Sequence, residues 1–439
     1  MTFKVDMETV DSLRRRLAVE VPAETVTAEL ERAYIDLGRA AKVRGFRPGH
    51  VPRPVLERLF GDRVRAEVYG KLIQRSLAEA IEERRIEPVG EPEIVTEEAS
   101  AGAALRYSAT VEIKPEVVAE QYSGLEVERV VTPVTPADVA ASIERLRQSL
   151  AQLQPITDRA HVAAGDVVTL DYEARVEDRL ISRAEDRAVE LGANGFPPGF
   201  DDHLFDAAVG AERDFPITYP SDSTGELAGK TVQFHVRVRA IARKELPSLD
   251  DEFAKDHGEC STLEELRRRV QERLEAEAVR HADEGMRNTL LTQLAQAHDI
   301  PVPHAMVQRR TEALMEEVVR GWQQQRIRPK DESTAVARLR EELQPRAQEQ
   351  VKIALLLEAI ARQEGITVRD EEVEERIATL AAHAGTAGER VRALYQQAEA
   401  RQQLRTRMEQ SRAVDLIVER AKVKTVERPM SVADVAENG

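Results

Sequence analysis

The residues best placed to do chemistry stand in the loop Gly45-Phe46-Arg47-Pro48-Gly49-His50-Val51-Pro52. Two glycines and two prolines in eight residues cannot continue a helix. Phe46 and Arg47 are therefore expected at an exposed turn. Residues 42–75 hold nine Lys/Arg against three Asp/Glu, a local net charge of +6 in a chain of formal net charge −16. A guanidinium in such a setting suits a phosphate or an acidic side chain. On composition alone two readings stand. One is a charged helical hairpin whose loop phenylalanine packs locally. The other is a docking tip for a negatively charged, RNA-containing surface, with Arg47 as its contact.

Other candidate constellations are weaker. His257 and Cys260 are three residues apart, but no second Cys/His pair completes a metal site. Cys260 is best read as a structural or incidental thiol beside a helix start. Gly225-Glu226-Leu227-Ala228-Gly229-Lys230-Thr231 imitates a phosphate-binding loop. It has one residue too few between its glycines and leads into a strand, not a helix. No zinc, haem, nucleotide or catalytic-triad site is expected, and none of these cofactors.

The elements that must position the tip follow from composition and periodicity. The 439 residues are 32% charged and only 4% aromatic, with one tryptophan, Trp322. That balance favours long charged helices over one aromatic-packed core. The overall acidity argues against general nucleic-acid binding, so the basic tip is a local exception. No run of about 18 apolar residues is present, Met1-Thr2-Phe3-Lys4-Val5-Asp6 lacks a secretory pattern, and a single cysteine fits a reducing compartment. The expectation is a cytoplasmic protein with no membrane partner.

Residues 1–115 read as an α+β module. Strand-like runs occur over 2–21 and 94–113, and between them lie two helices, one carrying Leu30, Ala33, Tyr34 and Leu37, the other Val55 to Ile73. Residues 116–160 form a connector: a strand over 125–131, then a helix opened by Thr135-Pro136-Ala137-Asp138. The apolar stripe of that helix is Val139, Ile143, Leu146, Leu150 and Leu153, closed by Pro155. Over 161–245 the period changes to two, with Val168, Leu170, Tyr172 and Ala174, and later Val232, Phe234, Val236 and Val238. That pattern predicts antiparallel strands, with a short helix to Ala208 between them. Residues 246–423 read as helical: a capping box at Ser261-Thr262-Leu263-Glu264, a long helix to about His298, and helices near 304–325, 334–363 (divided at Pro345), 370–383 and 388–421. The tail, 424–439, is expected to be flexible. The fold class is thus α+β and multidomain: an α+β module, an antiparallel β domain, and a long-helix body with arms.

The run Gly-Phe-Arg-x-Gly-x-x-Pro at a helix–loop–helix tip resembles the ribosome-binding signature of bacterial trigger factor, and the order of segments is similar over nearly the whole chain. The family form commonly has Lys where this chain has His50, and often Lys at Pro48, so one or two tip charges are missing. The resemblance implies docking through Phe46 and Arg47, with Arg44, Gly45, Gly49 and His50 in support. It also implies binding beside the nascent-chain exit, to ribosomal protein and rRNA, ATP-independent holding of unfolded or nascent polypeptides, and homodimerisation off the ribosome.

The segment 161–245 resembles an FK506-binding-protein-type prolyl isomerase domain. Such catalysis needs no acid–base pair. The barrier is amide resonance, about 18–20 kcal/mol, and an apolar pocket that fits the twisted imide lowers it. The resemblance places Tyr172, Phe196, Phe200 and Phe234 at pocket positions, with Ile181 (or Leu180) where phenylalanine is usual. Near Arg187-Ala188 an aromatic is expected, and near Ser223 a tyrosine. The implied activity is therefore weakened. Two further readings remain: mainly a prolyl isomerase with helices for oligomerisation, or a ribosome-independent holdase or scaffold.

Overall fold

The computed structural model describes residues 3–43, 46, 50–97, 103–177, 179–192, 196–220, 229–256, 260–324 and 332–429. The chain folds as two compact units, Met1–Glu128 with Met286–Lys424, and Arg129–Gly285 with Thr425–Gly439.

The first unit opens with strands β1 (Lys4–Thr9) and β2 (Arg14–Val21), helices α1 (Ala23–Ala40) and α2 (Arg53–Glu83), then β3 (Glu93–Thr96) and β4 (Leu105–Glu112). The strands form one antiparallel sheet in the order β1-β2-β4-β3. Alternation decides its faces. Leu17, Val19 and Val21 of β2 stand opposite Ala109, Tyr107 and Leu105 of β4, and all six are buried. Helix α2 adds Leu56, Val64, Val68, Leu72 and Leu77 to the same core. Each fully buried aliphatic side chain contributes roughly 1.5–3 kcal/mol. One polar pair is buried there: Ser76 donates to the Leu72 carbonyl at 2.7 Å and lies 2.7 Å from the Tyr107 hydroxyl. Its donor being used, Ser76 accepts from Tyr107, and both groups are satisfied.

Strand β5 (Glu126–Val131) leads into α3 (Pro136–Ser149). The capping box forms as read: Asp138 N–H donates to Thr135 Oγ1 at 3.3 Å and Thr135 N–H to Asp138 Oδ2 at 2.8 Å. The stripe ends sooner than expected, at Ser149. Leu153 lies beyond it, on β6 (Gln152–Pro155). The sheet that captures β6 is completed by β7 (Asp166–Val176), β8 (Arg179–Glu190), β9 (Glu212–Thr218) and β10 (Thr231–Glu245). Strand β10 is its spine. It pairs with β7 along one edge, and with β9 over 231–237 and β6 over 242–245 along the other. Backbone pairing with Ala242–Glu245 outcompetes the helical spacing of Leu150 and Leu153. Strand β8 carries no clean alternation of apolar residues, and periodicity alone does not reveal it. The short helix expected before Ala208 is only a single 3-10 turn, Asp201–His203.

Next come α4 (Asp251–Asp256) and the 35-residue α5 (Leu263–Ala297). The cap of α5 is one residue later than read: Thr262 Oγ1 accepts from Glu265 N–H at 3.2 Å, and Glu265 reaches back to Ser261 N–H at 2.9 Å. At about 1.5 Å per residue this helix spans roughly 50 Å. Cys260 is buried with Val139, Ile143, Phe253, Leu266 and Val270, which fits a structural thiol; His257 lies outside the described residues.

The first unit resumes with the end of α5, then α6 (His304–Gln324), α7 (Glu332–Gln363), α8 (Asp370–His383), α9 (Gly388–Leu394) and α10 (Ala398–Arg420). Pro345 does not divide α7. Ala347, two residues on, packs with Val307 and Leu314 of α6, and that packing holds the helix through the missing hydrogen bond. The helix read over 388–421 is instead two, because the chain turns at 395–397. The segment after Lys424 is not free at its start: β11 (Lys422–Glu427) pairs with β5. Among the described residues no helix is long and apolar enough to cross a membrane, and no cluster of His, Cys, Asp or Glu could hold a metal ion.

Candidate functional site

Helices α1 and α2 hold the basic tip between them. Pro22 and Pro52 cap their N-termini, and Pro54 occupies the first turn of α2, where its missing N–H costs nothing. The hairpin is fixed from within. Arg53 lies over the Tyr34 ring at 4.8 Å and pairs with Glu57 at 2.8 Å, while Val51 is buried. At the turn, Phe46 N–H bonds the Val43 carbonyl at 3.1 Å, and the side chain of Phe46 is 40% exposed. His50 is exposed too. Arg44, Gly45, Arg47 and Gly49 lie outside the described residues.

Many cations of this region are already committed on α2: Arg53 to Glu57, Arg65 to Asp62, Lys71 to Glu67 and Arg75 to Glu79. Lys42, Arg58 and Arg63 are exposed and make no ion pair among the described residues. Part of the surplus charge seen in the sequence thus resides in these three exposed side chains, which are available to an anion.

The second candidate is aromatic. Tyr172 on β7 meets the edge of Phe196 with centroids 5.3 Å apart, and Phe196 stacks on Phe200 at 3.9 Å. Phe234 of β10 lies 6.5 Å from Tyr172 and 5.2 Å from Phe200. Four of the five residues read from the sequence therefore form one cluster. Tyr172, Phe200 and Phe234 are buried, and Phe196 is half-buried. Ile181 is not brought in. The β7–β8 register shifts between Ala174 and Arg175, pairing them with Ser182 and Leu180 and skipping Ile181. That bulge residue is 40% exposed and outside the packed cluster.

Phe215, Phe205 and Tyr219 were not singled out by the sequence. Phe215 stands 5.4 Å from Phe200 and is stacked against His203 at 4.3 Å. Phe205 and Tyr219 pack on the cluster from its edge. Burial, and next the neighbouring Tyr172, push the Tyr219 phenol above the usual tyrosine range. Phe215 alternates with Ile217 on β9 and is the one a strand reading could have found; a tyrosine was sought near Ser223, which lies outside the described residues, and Tyr219 is four positions earlier. Where an aromatic was expected, Arg187 instead sets its guanidinium 5.8 Å from the Phe196 centroid. Tyr172 also places its hydroxyl 3.0 Å from Ser182 Oγ.

A half-buried ion pair, Arg159–Asp166, lies at the start of β7. Burial pushes the Asp166 carboxyl up, but the Arg159 guanidinium at 2.5 Å and the Ala163 N–H at 2.8 Å hold it below the usual aspartate range. What the cluster offers is an apolar, ring-walled surface, suited to a flat or twisted amide.

Comparison with known proteins agrees with this architecture. Residues 3–146 match the family described as bacterial trigger factor protein, and residues 262–419 its C-terminus. Residues 158–239 match FKBP-type peptidyl-prolyl cis-trans isomerase. The trigger factor of Desulforudis audaxviator (strain MP104C) is 36% identical over 429 residues, covering 96% of this chain and 98% of its own length. That of Geobacter sp. (strain M21) is 33% identical, covering 97% and 99%. That of Geobacillus thermodenitrificans (strain NG80-2) is 36% identical, covering 87% and 91%. With near-complete mutual coverage at these identities, and the two trigger factor matches flanking an FKBP-type domain, the chain belongs to the bacterial trigger factor family.

Proposed function

We propose that this chaperone docks on the ribosome through the α1–α2 tip, beside the nascent-chain exit, and holds emerging polypeptides without ATP. The observation that carries the reading is Phe46: a large apolar side chain left exposed between two packed helices, inside a basic region of an acidic chain. An isolated protein gains nothing from that exposure, whereas a partner surface of protein and rRNA would cover the ring and pair the surrounding cations. Phe46 and Arg47 are assigned the main contact, with Arg44, Gly45, Gly49 and His50 in support. Residues 1–115 then serve docking, 161–245 prolyl isomerisation and 246–423 client holding, in the cytoplasm, with self-association when off the ribosome.

The isomerase activity is assigned to Phe196, Tyr172 and Phe234, backed by Phe200. It is weak, because Ile181 stands apart from the rings and Arg187 replaces an apolar wall with a cation. The test of docking is co-sedimentation with bacterial ribosomes. Wild-type protein is expected in the ribosome pellet, and Phe46→Ala with Arg47→Ala in the supernatant, with unchanged helical circular dichroism. Equal pelleting of both would remove the assignment.

A further inference from the structure

Between β4 and β5, within the first unit, residues 117–120 run over the ends of α5, α7 and α10 outside the named strands. Its backbone is gripped by side chains instead. Gln363 accepts from Ala119 N–H at 3.1 Å and donates to the Ala119 carbonyl at 3.3 Å, so one amide satisfies both polar groups of one residue, as a neighbouring strand would. Arg362 donates to the Val117 carbonyl at 2.9 Å. His298 accepts from Glu120 N–H on Nε2 at 2.9 Å and donates from Nδ1 to the Leu294 carbonyl at 2.8 Å. An amide N–H only donates and a carbonyl only accepts, which fixes that tautomer.

Side chains alternate along the same stretch. Val117 and Ala119 are buried in the core that holds Leu294, Leu356, Ile360 and Ile417, while Val118 between them is 64% exposed. The groove thus reads backbone through three side chains and asks only for small or β-branched residues at alternate positions. Directly after the gripped stretch, Gln121 sits in the left-handed region at φ 50°, a conformation costly to a residue with a Cβ. Release of the segment would relieve it.

We propose that this groove is an extended-peptide site which the linker 117–120 occupies in cis, and from which an extended apolar segment of an unfolded polypeptide displaces it. Backbone recognition of this kind suits a chaperone, since it is indifferent to most of a client's sequence. The tethered linker competes at an effective concentration in the millimolar range, so only clients that are abundant or held nearby by other contacts gain the site. The displacement step rests on the client-holding reading above; the groove itself does not.

The first arm of the test is hydrogen exchange on the full, unmodified chain, with and without a reduced, carboxymethylated globular protein as a permanently unfolded client. At saturation the amides of Ala119 and Glu120 are expected to exchange at least tenfold faster. Unchanged or slower exchange at saturation would overturn displacement. The second arm needs no client: a fluorescent peptide of residues 115–124 is titrated into wild type and into Val117→Asp with Ala119→Asp. The variant, its linker expelled, is expected to bind the peptide at least tenfold more tightly. Equal binding by a folded variant would overturn the groove, and if the variant does not fold, the exchange arm decides. Failure to suppress aggregation at all, with the peptide arm positive, would count against the chaperone reading and leave the groove standing.

Discussion

Phe196 lies face to face on Phe200, with ring centroids 3.9 Å apart and planes 13° from parallel. One ring of the pair is half-buried and the other fully buried. Solvent reaches the first, and the second holds it in place. Their truncations should therefore separate. Phe200→Ala is expected to destabilise the domain by about 3–5 kcal/mol, as for a core phenylalanine. Phe196→Ala should cost far less, about 1 kcal/mol, yet lower prolyl-peptide isomerisation at least tenfold. Thermal unfolding alongside a proline-peptide isomerisation assay tests both, and equal loss of stability would show that Phe196 is only core.

Arg58 and Arg63 on α2, with Lys42 before it, are the exposed cations of the tip region without an ion pair among the described residues. Reversal of one, Arg58→Glu, is expected to weaken ribosome binding roughly three- to tenfold at low salt by loss of steering and attraction. The difference from wild type should shrink at 1 M salt, where the screening length falls to about 3 Å. Binding titrations at two ionic strengths check this, and a salt-independent difference would mean a shape effect.

Glu372 links α8 to α10. It accepts from the Arg369 backbone N–H at 2.9 Å and from Arg412 at 2.5 Å, and these bonds, the backbone one first, hold its carboxyl at about 2, against 4.5 for an ordinary glutamate. Because the folded state binds the proton less well, the contribution is complete above the unfolded value near 4.5 and is lost as pH falls from there through about 2. Glu372→Gln should flatten the acid side of the stability curve over that window and leave the slope unchanged at neutral pH. Urea midpoints at pH 3 and pH 6 give the comparison; an unaltered acid slope would mean that Glu372 does not couple the two helices.

Pro345 sits inside α7, where its ring removes one backbone hydrogen bond. Pro345→Ala should restore that bond and raise stability by as much as about 3 kcal/mol. A lowered melting temperature would show that the proline instead sets a bend needed for the α6–α7 contact.

Several features of this chain are local and therefore legible in its sequence. A capping box is a four-residue event, and Thr135–Asp138 was readable because its bonds join neighbours. The strands β2, β4, β7 and β10 bury one face against a core, so the period of two is written in their own residues. The tip was equally local: glycines and prolines must break α1 from α2, and the charge count needs no structure. Likewise Tyr172, Phe196, Phe200 and Phe234 were identified through a family pattern, and the β7–β10 register brings Tyr172 and Phe234 together.

Tertiary contacts decided the rest, for reasons a one-dimensional pattern does not carry. Leu153 left the stripe of α3 because β10 offered its backbone a ladder. Ile181 fell outside the rings because a bulge shifted the register beside it, and a single skipped residue changes which face a side chain takes. Phe215 and Tyr219 joined the cluster from strand and edge positions more than thirty residues from Tyr172 in the chain. Pro345 was tolerated because α6 supports α7. The linker over 117–120 shows the limit most plainly. Its own residues say only that it is extended, and its place is set by Gln363, Arg362 and His298, which the fold alone brings to it.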